Sequence, residues 1–370
     1  MGEAGGNAAA IQVTLGILIN TMRSQPSQLD PGMRTLLVGV VLAGTVLTAG
    51  GLMLTRGQLW VSPPPLDAPV IDATPDSTTV VAVGDLSCER NNPEYNLGLG
   101  TDNACRAKAT SDLALSLKPE LVLTIGDEQY RSGKLIEFDN SYDKTWGRLK
   151  AITKPGPGNH EYGTKGASGY FDYFGATAGA PKLGYYSFDA GTWHIIALNG
   201  NCQQVGGCQA RSPQAKWLRR DLAGHDSQCT LAFIHQPRFS SGGHGSDISY
   251  TAFWQALQDY QADLVLSGHD HDFERFEPLN AEGIPDPKGP REFVVGTGGE
   301  SLTAFRAIQD GSLVRDNQDY GVMKLVLKPD GYSWQFISTG KEVKDTGTAG
   351  CYNKAPRPIK PTPTPGQTQG

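Results

Sequence analysis

Side chains able to bind metal ions recur in this sequence at one kind of position, directly after a short apolar run or a tight turn. The apolar runs are Thr78–Val83, Leu121–Ile125, Leu231–Ile234 and Leu264–Leu266. The polar residues that follow these runs, or that follow the Pro-Gly-Pro-Gly turn at 155–158, are Asp85, Asp127, Asn159, His160, His235, His269 and His271. Continuous apolar runs of this length predict buried strands. Because ligands bind beyond the carboxyl ends of such strands, we expect these side chains to meet at one rim of a sheet.

The spacing of helical patterns between the apolar runs predicts the fold class. A helical pattern at Ala104–Leu117 separates the first two runs and gives a strand–helix–strand unit, and Ser212–Leu222 begins with a serine cap followed by proline. Further strands are predicted at Phe293–Val295, Val322–Leu327 and Tyr332–Ser338. We therefore expect an α/β (α+β) fold, a four-layer α/β/β/α sandwich of two mixed sheets flanked by helices.

The ends of the 370-residue chain differ in composition from its middle. Residues 35–54 carry no charge and are long enough to span a bilayer, but Leu47-Thr48-Ala49 also resembles a signal-peptidase site. A transmembrane anchor and a cleaved signal peptide both remain open. We expect an N-terminal region at 1–34, a proline-rich linker at 55–77, one catalytic domain at 78–351 and a disordered Pro/Thr-rich tail at 352–370.

The cysteine content favours an oxidising compartment. There are six cysteines and no CxxC pair of the kind that binds zinc. Behind an export segment, we expect disulfides and an extracytoplasmic protein that is either secreted or anchored to the membrane through its N-terminal segment. One of the fifteen possible connectivities pairs Cys88 with Cys105, Cys202 with Cys208, and Cys229 with Cys351. The net charge of −6 argues against a nucleic-acid partner.

Five blocks of the sequence resemble, in order and spacing, those of the calcineurin-like metallophosphoesterases. The blocks are Gly84-Asp85, Gly126-Asp127-Glu128-Gln129-Tyr130, Gly158-Asn159-His160-Glu161, His235 and Gly268-His269-Asp270-His271. Most of that superfamily carries a histidine two residues after the first aspartate, whereas this chain has Asp85-Leu86-Ser87 and places Tyr130 three residues after Asp127. This exchange resembles the purple acid phosphatases. His244, nine residues after His235, lies near the position of their additional histidine.

The resemblance implies two metal ions and a role for each matching residue. One ion, expected to be Fe(III), would be held by Asp85, Asp127, Tyr130 and His271. The other, Fe, Zn or Mn, would be held by Asp127, Asn159, His235 and His269. Asp127 would bridge the two ions, and His160 and His244 would hold the phosphate or protonate the leaving group.

The expected function is therefore hydrolysis of small phosphate monoesters by attack of a metal-bound hydroxide. A phosphodiesterase or nucleotide hydrolase with the same metals is the first alternative, because the motifs determine the chemistry and leave the substrate open. A non-catalytic cell-surface domain is the second. The sequence does not predict the oligomeric state.

Overall fold

The computed structural model describes residues 73–74 and 76–352, all of which belong to one compact unit. The predicted N-terminal region, the apolar segment at 35–54, most of the linker at 55–77 and nearly all of the tail at 352–370 lie outside the described residues. Among the residues that are described, none of the helices has the length and apolar character needed to cross a membrane.

Thirteen strands and five α-helices, joined by loops and short 3-10 turns, make up the described part of the chain. The strands are β1 (Thr78–Val83), β2 (Leu121–Ile125), β3 (Thr153–Gly156), β4 (Tyr186–Ala190), β5 (Trp193–Ala197), β6 (Cys229–Phe233), β7 (Leu264–Ser267), β8 (Phe273–Pro278), β9 (Arg291–Val295), β10 (Ser312–Asp316), β11 (Gly321–Lys328), β12 (Gly331–Ser338) and β13 (Val343–Gly350). The helices are α1 (Ala107–Ser116), α2 (Leu135–Asn140), α3 (Ser168–Phe174), α4 (Pro213–Gly224) and α5 (Thr251–Asp259).

The strands form two mixed sheets. The first has the order β13-β12-β11-β1-β2-β3, and the second has the order β10-β8-β9-β7-β6-β5-β4. Strands β1, β2 and β3 run parallel in the first sheet, while β5, β6, β7 and β9 run parallel in the second. The remaining strand pairs are antiparallel.

Alternating side chains of the second sheet face two different hydrophobic cores. Leu231 and Phe233 of β6 pack in a core shared with the first sheet, whereas Ala232 between them packs against residues of α4 and α5. Successive side chains of β6 thus point into different cores, as expected for a strand in a sheet that is covered on both faces. Helix α1 packs on β11 of the first sheet. The predicted sandwich of two mixed sheets flanked by helices is confirmed.

The predicted helix that begins after Ser212 is present as α4, and the Ser212 side chain accepts a hydrogen bond from the Ala215 backbone N–H at 3.2 Å. The Pro-Gly-Pro-Gly segment was predicted to be a tight turn, and this is wrong for its first half. Pro155 and Gly156 belong to β3. Proline is tolerated there because β3 is an edge strand.

Three disulfides join Cys88 to Cys105, Cys202 to Cys208, and Cys229 to Cys351. The predicted connectivity is therefore confirmed. The last bridge connects β6 to the residue that follows β13, so it ties the two sheets together. Crosslinks that close long loops restrict the unfolded chain and stabilise the fold.

Candidate metal centre

Parallel strands from both sheets end at a common rim, and the loops that follow them carry the predicted site residues. Strands β1, β2 and β3 of the first sheet and β6 and β7 of the second each end just before at least one of them. All nine predicted side chains are brought together here, namely Asp85, Asp127, Tyr130, Asn159, His160, His235, His244, His269 and His271.

The backbone at this rim is strained. Asp85, Asp127 and His269 have φ angles of 62°, 48° and 70°, in the left-handed region that residues with a side chain rarely adopt. Gly158 allows a close approach of two loops, since a Cβ at that position would lie 2.1 Å from Asp127 Oδ1. Strain of this kind persists where the surrounding structure enforces it and is concentrated at functional sites.

Asp85, Tyr130 and His271 form a first group of donor atoms. The Tyr130 hydroxyl donates to Asp85 Oδ1 at 2.9 Å and lies 3.1 Å from His271 Nε2, which in turn lies 3.4 Å from Asp85 Oδ1. His271 Nδ1 donates to the Ser301 carbonyl at 2.7 Å, so its Nε2 is the nitrogen that faces this group.

Asp127, His235 and His269 form a second group. His235 Nε2 lies 3.1 Å from Asp127 Oδ2 and 3.3 Å from His269 Nδ1. His235 Nδ1 donates to the Ile125 carbonyl at 2.8 Å, which again leaves Nε2 for the centre. One ligand atom from each of these three residues lies within 4.8 Å of the other two.

Both groups fit divalent or trivalent cations. Donor atoms about 2.1 Å from a metal ion and at right angles to each other are about 3.0 Å apart, close to the separations seen here. Asn159 Oδ1 is buried and has no hydrogen-bond partner among the described residues. A buried amide oxygen without a partner is costly, and a cation would satisfy it. Carboxylate, imidazole, amide and phenol donors together suit Fe, Zn or Mn.

The electrostatics of the centre also favour cations. Burial raises the pKa of Tyr130 well above its usual 10.0, and the charges of Asp85 and Asp127 raise it further. Burial alone would lower the pKa of His235, but Asp127 raises it to about 10, whereas burial and the charge on His235 lower the pKa of His269 to about 4. The raised pKa values favour protonated Tyr130 and His235 in the absence of metal, so metal binding there would release protons, whereas His269 favours the neutral form that binds a cation.

Glu161 connects the loops that carry the two groups. Its carboxylate accepts backbone hydrogen bonds from Asp127 at 3.0 Å, Gln129 at 3.1 Å and Gly158 at 2.8 Å. The side chain is fully buried, and burial together with the charge of Asp127 raises the pKa of Glu161 to about 7. Glu161 thus holds the β2 and β3 loops in register and sets the position of Asp127.

A cleft of about 290 Å³ opens over the centre. His160 and His244 line it, with His160 Nδ1 held by the Arg131 carbonyl at 2.7 Å and His244 Nδ1 lying 3.1 Å from Asp270 Oδ1. In each ring Nδ1 is engaged, which leaves Nε2 to meet another group, and Nε2 of His160 lies 3.8 Å from Asp127 Oδ2.

Three further residues line the cleft and were not predicted from the sequence, namely Arg131, Glu300 and Ser301. Glu300 and Ser301 follow β9 through the glycine-rich segment 296–299. The rule that identified Asp85 and Asp127 does not reach them, but the glycine-rich segment after the predicted strand Phe293–Val295 is a signal that could have found them. Arg131 directly follows Tyr130, but no feature of the sequence indicated that it would line the cleft.

The sequence profile of the calcineurin-like phosphoesterase family matches residues 78–273, which include Asp85, Asp127, Asn159, His235 and His271. The chain belongs to this family. Purple acid phosphatase 15 of Arabidopsis thaliana is 28% identical over 218 residues, covering 49% of this chain and 40% of the relative. The Fe(3+)-Zn(2+) purple acid phosphatase 12 of the same plant is 26% identical over 216 residues, covering 50% of this chain and 45% of the relative. The chain thus spans less than half the length of these two relatives.

A purple acid phosphatase from yellow lupin (Lupinus luteus) seeds has a similar fold. Its structure aligns with a TM-score of 0.63 at 19% identity and covers 74% of this chain and 54% of the lupin chain. The resemblance to the calcineurin-like phosphoesterases and to their purple acid phosphatase branch, first inferred from five sequence blocks, is therefore confirmed.

A second group of potential ligands in this calcineurin-like phosphoesterase lies elsewhere, at Asp189, His194 and His225. His194 Nδ1 lies 2.9 Å from Asp189 Oδ1 and its Nε2 lies 2.7 Å from Asp221 Oδ2, so carboxylates already engage both nitrogens. The His194 and His225 rings stack with centroids 3.7 Å apart, a geometry in which they cannot direct lone pairs at one ion. Hydrogen bonding within the fold accounts for this group.

Proposed function

We propose that this protein is a dinuclear-metal phosphoester hydrolase of the purple acid phosphatase type that acts on phosphate monoesters. The convergence of two donor groups at one rim supports the proposal most strongly. Their donor atoms lie 2.9–3.4 Å apart, and the buried oxygen of Asn159 next to them lacks a hydrogen-bond partner among the described residues.

The ligands divide between the two proposed cations as follows. Asp85, Tyr130 and His271 would hold one ion, and Asn159, His235 and His269 would hold the other, with the Asp127 carboxylate shared between them. We propose Fe(III) next to Tyr130, because a phenol this buried loses its proton only to a strongly charged cation. The name of purple acid phosphatase 12 records iron and zinc for that relative, and we propose Fe, Zn or Mn for the second position.

Bound cations would supply positive charge for the phosphoryl oxygens and would lower the pKa of water. The chain itself supplies the groups around the substrate. His160, with Nδ1 fixed on the Arg131 carbonyl, can donate from Nε2 to a phosphoryl oxygen. His244, which also lines the cleft, can donate a proton to the leaving oxygen. The small cleft suits a compact ester group.

We further propose that the catalytic domain works outside the cytoplasm on a small-molecule phosphoester. All six cysteines are paired in disulfides, a state that persists in oxidising compartments. The net charge of −6 disfavours a nucleic-acid substrate. The membrane anchor or signal peptide at 35–54 remains a prediction.

Metal-loaded protein is expected to hydrolyse 4-nitrophenyl phosphate with an acid optimum and to lose at least about 10³-fold in kcat when a chelator removes the metals. Phosphate release from this monoester and from bis(4-nitrophenyl) phosphate should be measured side by side. Faster turnover of the diester would support the phosphodiesterase alternative instead. No turnover of either ester, with or without added Fe, Zn or Mn, would overturn the proposed function and leave the non-catalytic domain.

A further inference from the structure

Asp270 lies between two of the proposed ligands, His269 and His271, yet its carboxylate bonds to a different part of the chain. It accepts hydrogen bonds from the backbone N–H of His244 at 2.6 Å and of Gly245 at 3.0 Å. It also accepts one from the Ser240 hydroxyl. The loop at 240–245 is therefore folded around a fully buried carboxylate.

The same carboxylate holds the His244 ring. Asp270 Oδ1 lies 3.1 Å from His244 Nδ1 and is the hydrogen-bond partner of this ring among the described residues. The His244 side chain is 52% exposed, so little else restrains it. Its ring packs on that of His269 with centroids 4.3 Å apart, so it lies next to one of the proposed ligands.

The fit between the loop and the carboxylate is close. A Cβ at Gly242 would lie 2.4 Å from Asp270 Cγ, so only glycine allows the loop to pass at this distance. With Nδ1 engaged by Asp270, His244 has its Nε2 atom left to meet a substrate in the cleft. A carboxylate in this relation to a histidine selects both the tautomer and the ring orientation.

We infer that Asp270 is a positioning residue that holds His244 with Nε2–H directed at the leaving oxygen of the ester. The inference rests on the proposed hydrolase function. In the step concerned, a water oxygen bonds to phosphorus, and the ester P–O bond breaks with its electron pair on the leaving oxygen. That oxygen takes the Nε2 proton of His244, and the proton lost by the water returns to His244 through solvent. The products are an alcohol and inorganic phosphate.

The test compares good and poor leaving groups in metal-loaded, full-length protein. Asp270→Asn is expected to lower kcat for an alkyl phosphate such as glycerol 2-phosphate by about 100-fold, the usual contribution of a general acid. With 4-nitrophenyl phosphate, whose leaving group needs no proton, kcat should fall by less than about 5-fold. Since a loosened fold would affect both esters alike, the difference between them reports on His244.

Two further variants serve as controls. Asp272→Asn removes another fully buried carboxylate, two residues away, whose oxygens have no hydrogen-bond partner among the described residues, and it should leave both rates within about 3-fold. Asp270→Asn combined with His244→Ala should be no slower than His244→Ala alone, because Asp270 acts through that ring.

Several results would overturn the inference. One is that Asp270→Asn lowers kcat equally for both esters. Another is that Asp272→Asn lowers kcat for the alkyl phosphate as selectively as Asp270→Asn does. The third is that the double variant has a lower kcat than His244→Ala alone. Inactive wild-type protein would instead overturn the proposed function and, with it, this inference. If Asp270→Asn fails to fold, the ¹⁵N spectrum of the zinc-loaded wild type decides, since the inference requires a proton on His244 Nδ1.

Discussion

Replacing Asp127 by asparagine is expected to reduce the metal content from two ions per chain to one or none and to lower kcat for 4-nitrophenyl phosphate by at least about 10³-fold. Asp127 Oδ2 faces His235 Nε2 at 3.1 Å, while Oδ1 accepts the backbone N–H of His160 at 2.8 Å. An asparagine has one oxygen and no negative charge, so it cannot serve both cations. Because asparagine tolerates the left-handed backbone found at this position, the fold should survive.

Metal analysis and steady-state kinetics on the same samples check this prediction. Asp189→Asn is the matched control, because it removes a carboxylate from the group at His194, outside the proposed centre. This control should keep two ions and wild-type kcat. An Asp127→Asn protein with two ions and more than about a tenth of the wild-type rate would show that Asp127 does not bridge.

Glu161→Gln is expected to weaken metal binding by about 10–100-fold and to lower the free energy of unfolding by about 1–3 kcal/mol. Glu161 contacts no proposed cation directly, but its two oxygens accept three backbone N–H groups from the β2 and β3 loops. A glutamine would turn its NH₂ group toward at least one of these donors and leave a buried N–H without an acceptor. The loops that carry Asp127 and Asn159 would then separate.

The matched control for this variant is Glu128→Gln. Glu128 is as deeply buried as Glu161, but only one of its oxygens has a partner among the described residues, the Thr124 hydroxyl at 3.0 Å. Burial and the charge of Glu161 raise the pKa of Glu128 well above its usual 4.5, which favours the neutral form that glutamine resembles. Zinc titration and urea unfolding of both variants should separate them. Equal effects would mean that burial, rather than the bonds of Glu161, explains the result.

The sequence predicts some of the strands in which apolar runs are continuous, although β5 (Trp193–Ala197), which is buried throughout, was missed. Thr78–Val83 and Leu121–Ile125 are strands with the predicted bounds because both faces of β1 and β2 are buried. The edge strand β13 was not predicted, since its sequence, VKDTGTAG, has no apolar alternation and its place depends on backbone pairing with β12. Strand β4 was missed for a similar reason, because it is also an edge strand and none of its residues is fully buried.

The candidate site could be predicted where a polar residue directly follows a predicted strand, since the direction of the strand then determines where the side chain lies. Asp85 and Asp127 are of this kind. The contact between Asp270 and the loop carrying His244 could not be predicted in this way. It joins segments 26 residues apart and depends on how that loop folds back. The three bonds of Glu161 depend on backbone N–H groups from the loops after β2 and β3 meeting at one carboxylate.

Anomalous difference maps of crystals of the metal-loaded protein, recorded above and below the iron absorption edge, test the two-metal centre most directly. We predict two peaks per chain at the shared rim of the sheets, with Asp127 between them. One peak contacts Asp85, Tyr130 and His271 and vanishes below the iron edge. The other contacts Asn159, His235 and His269. A single peak at the rim, no peak there, or metal bound only at the group around His194 would contradict the proposed centre.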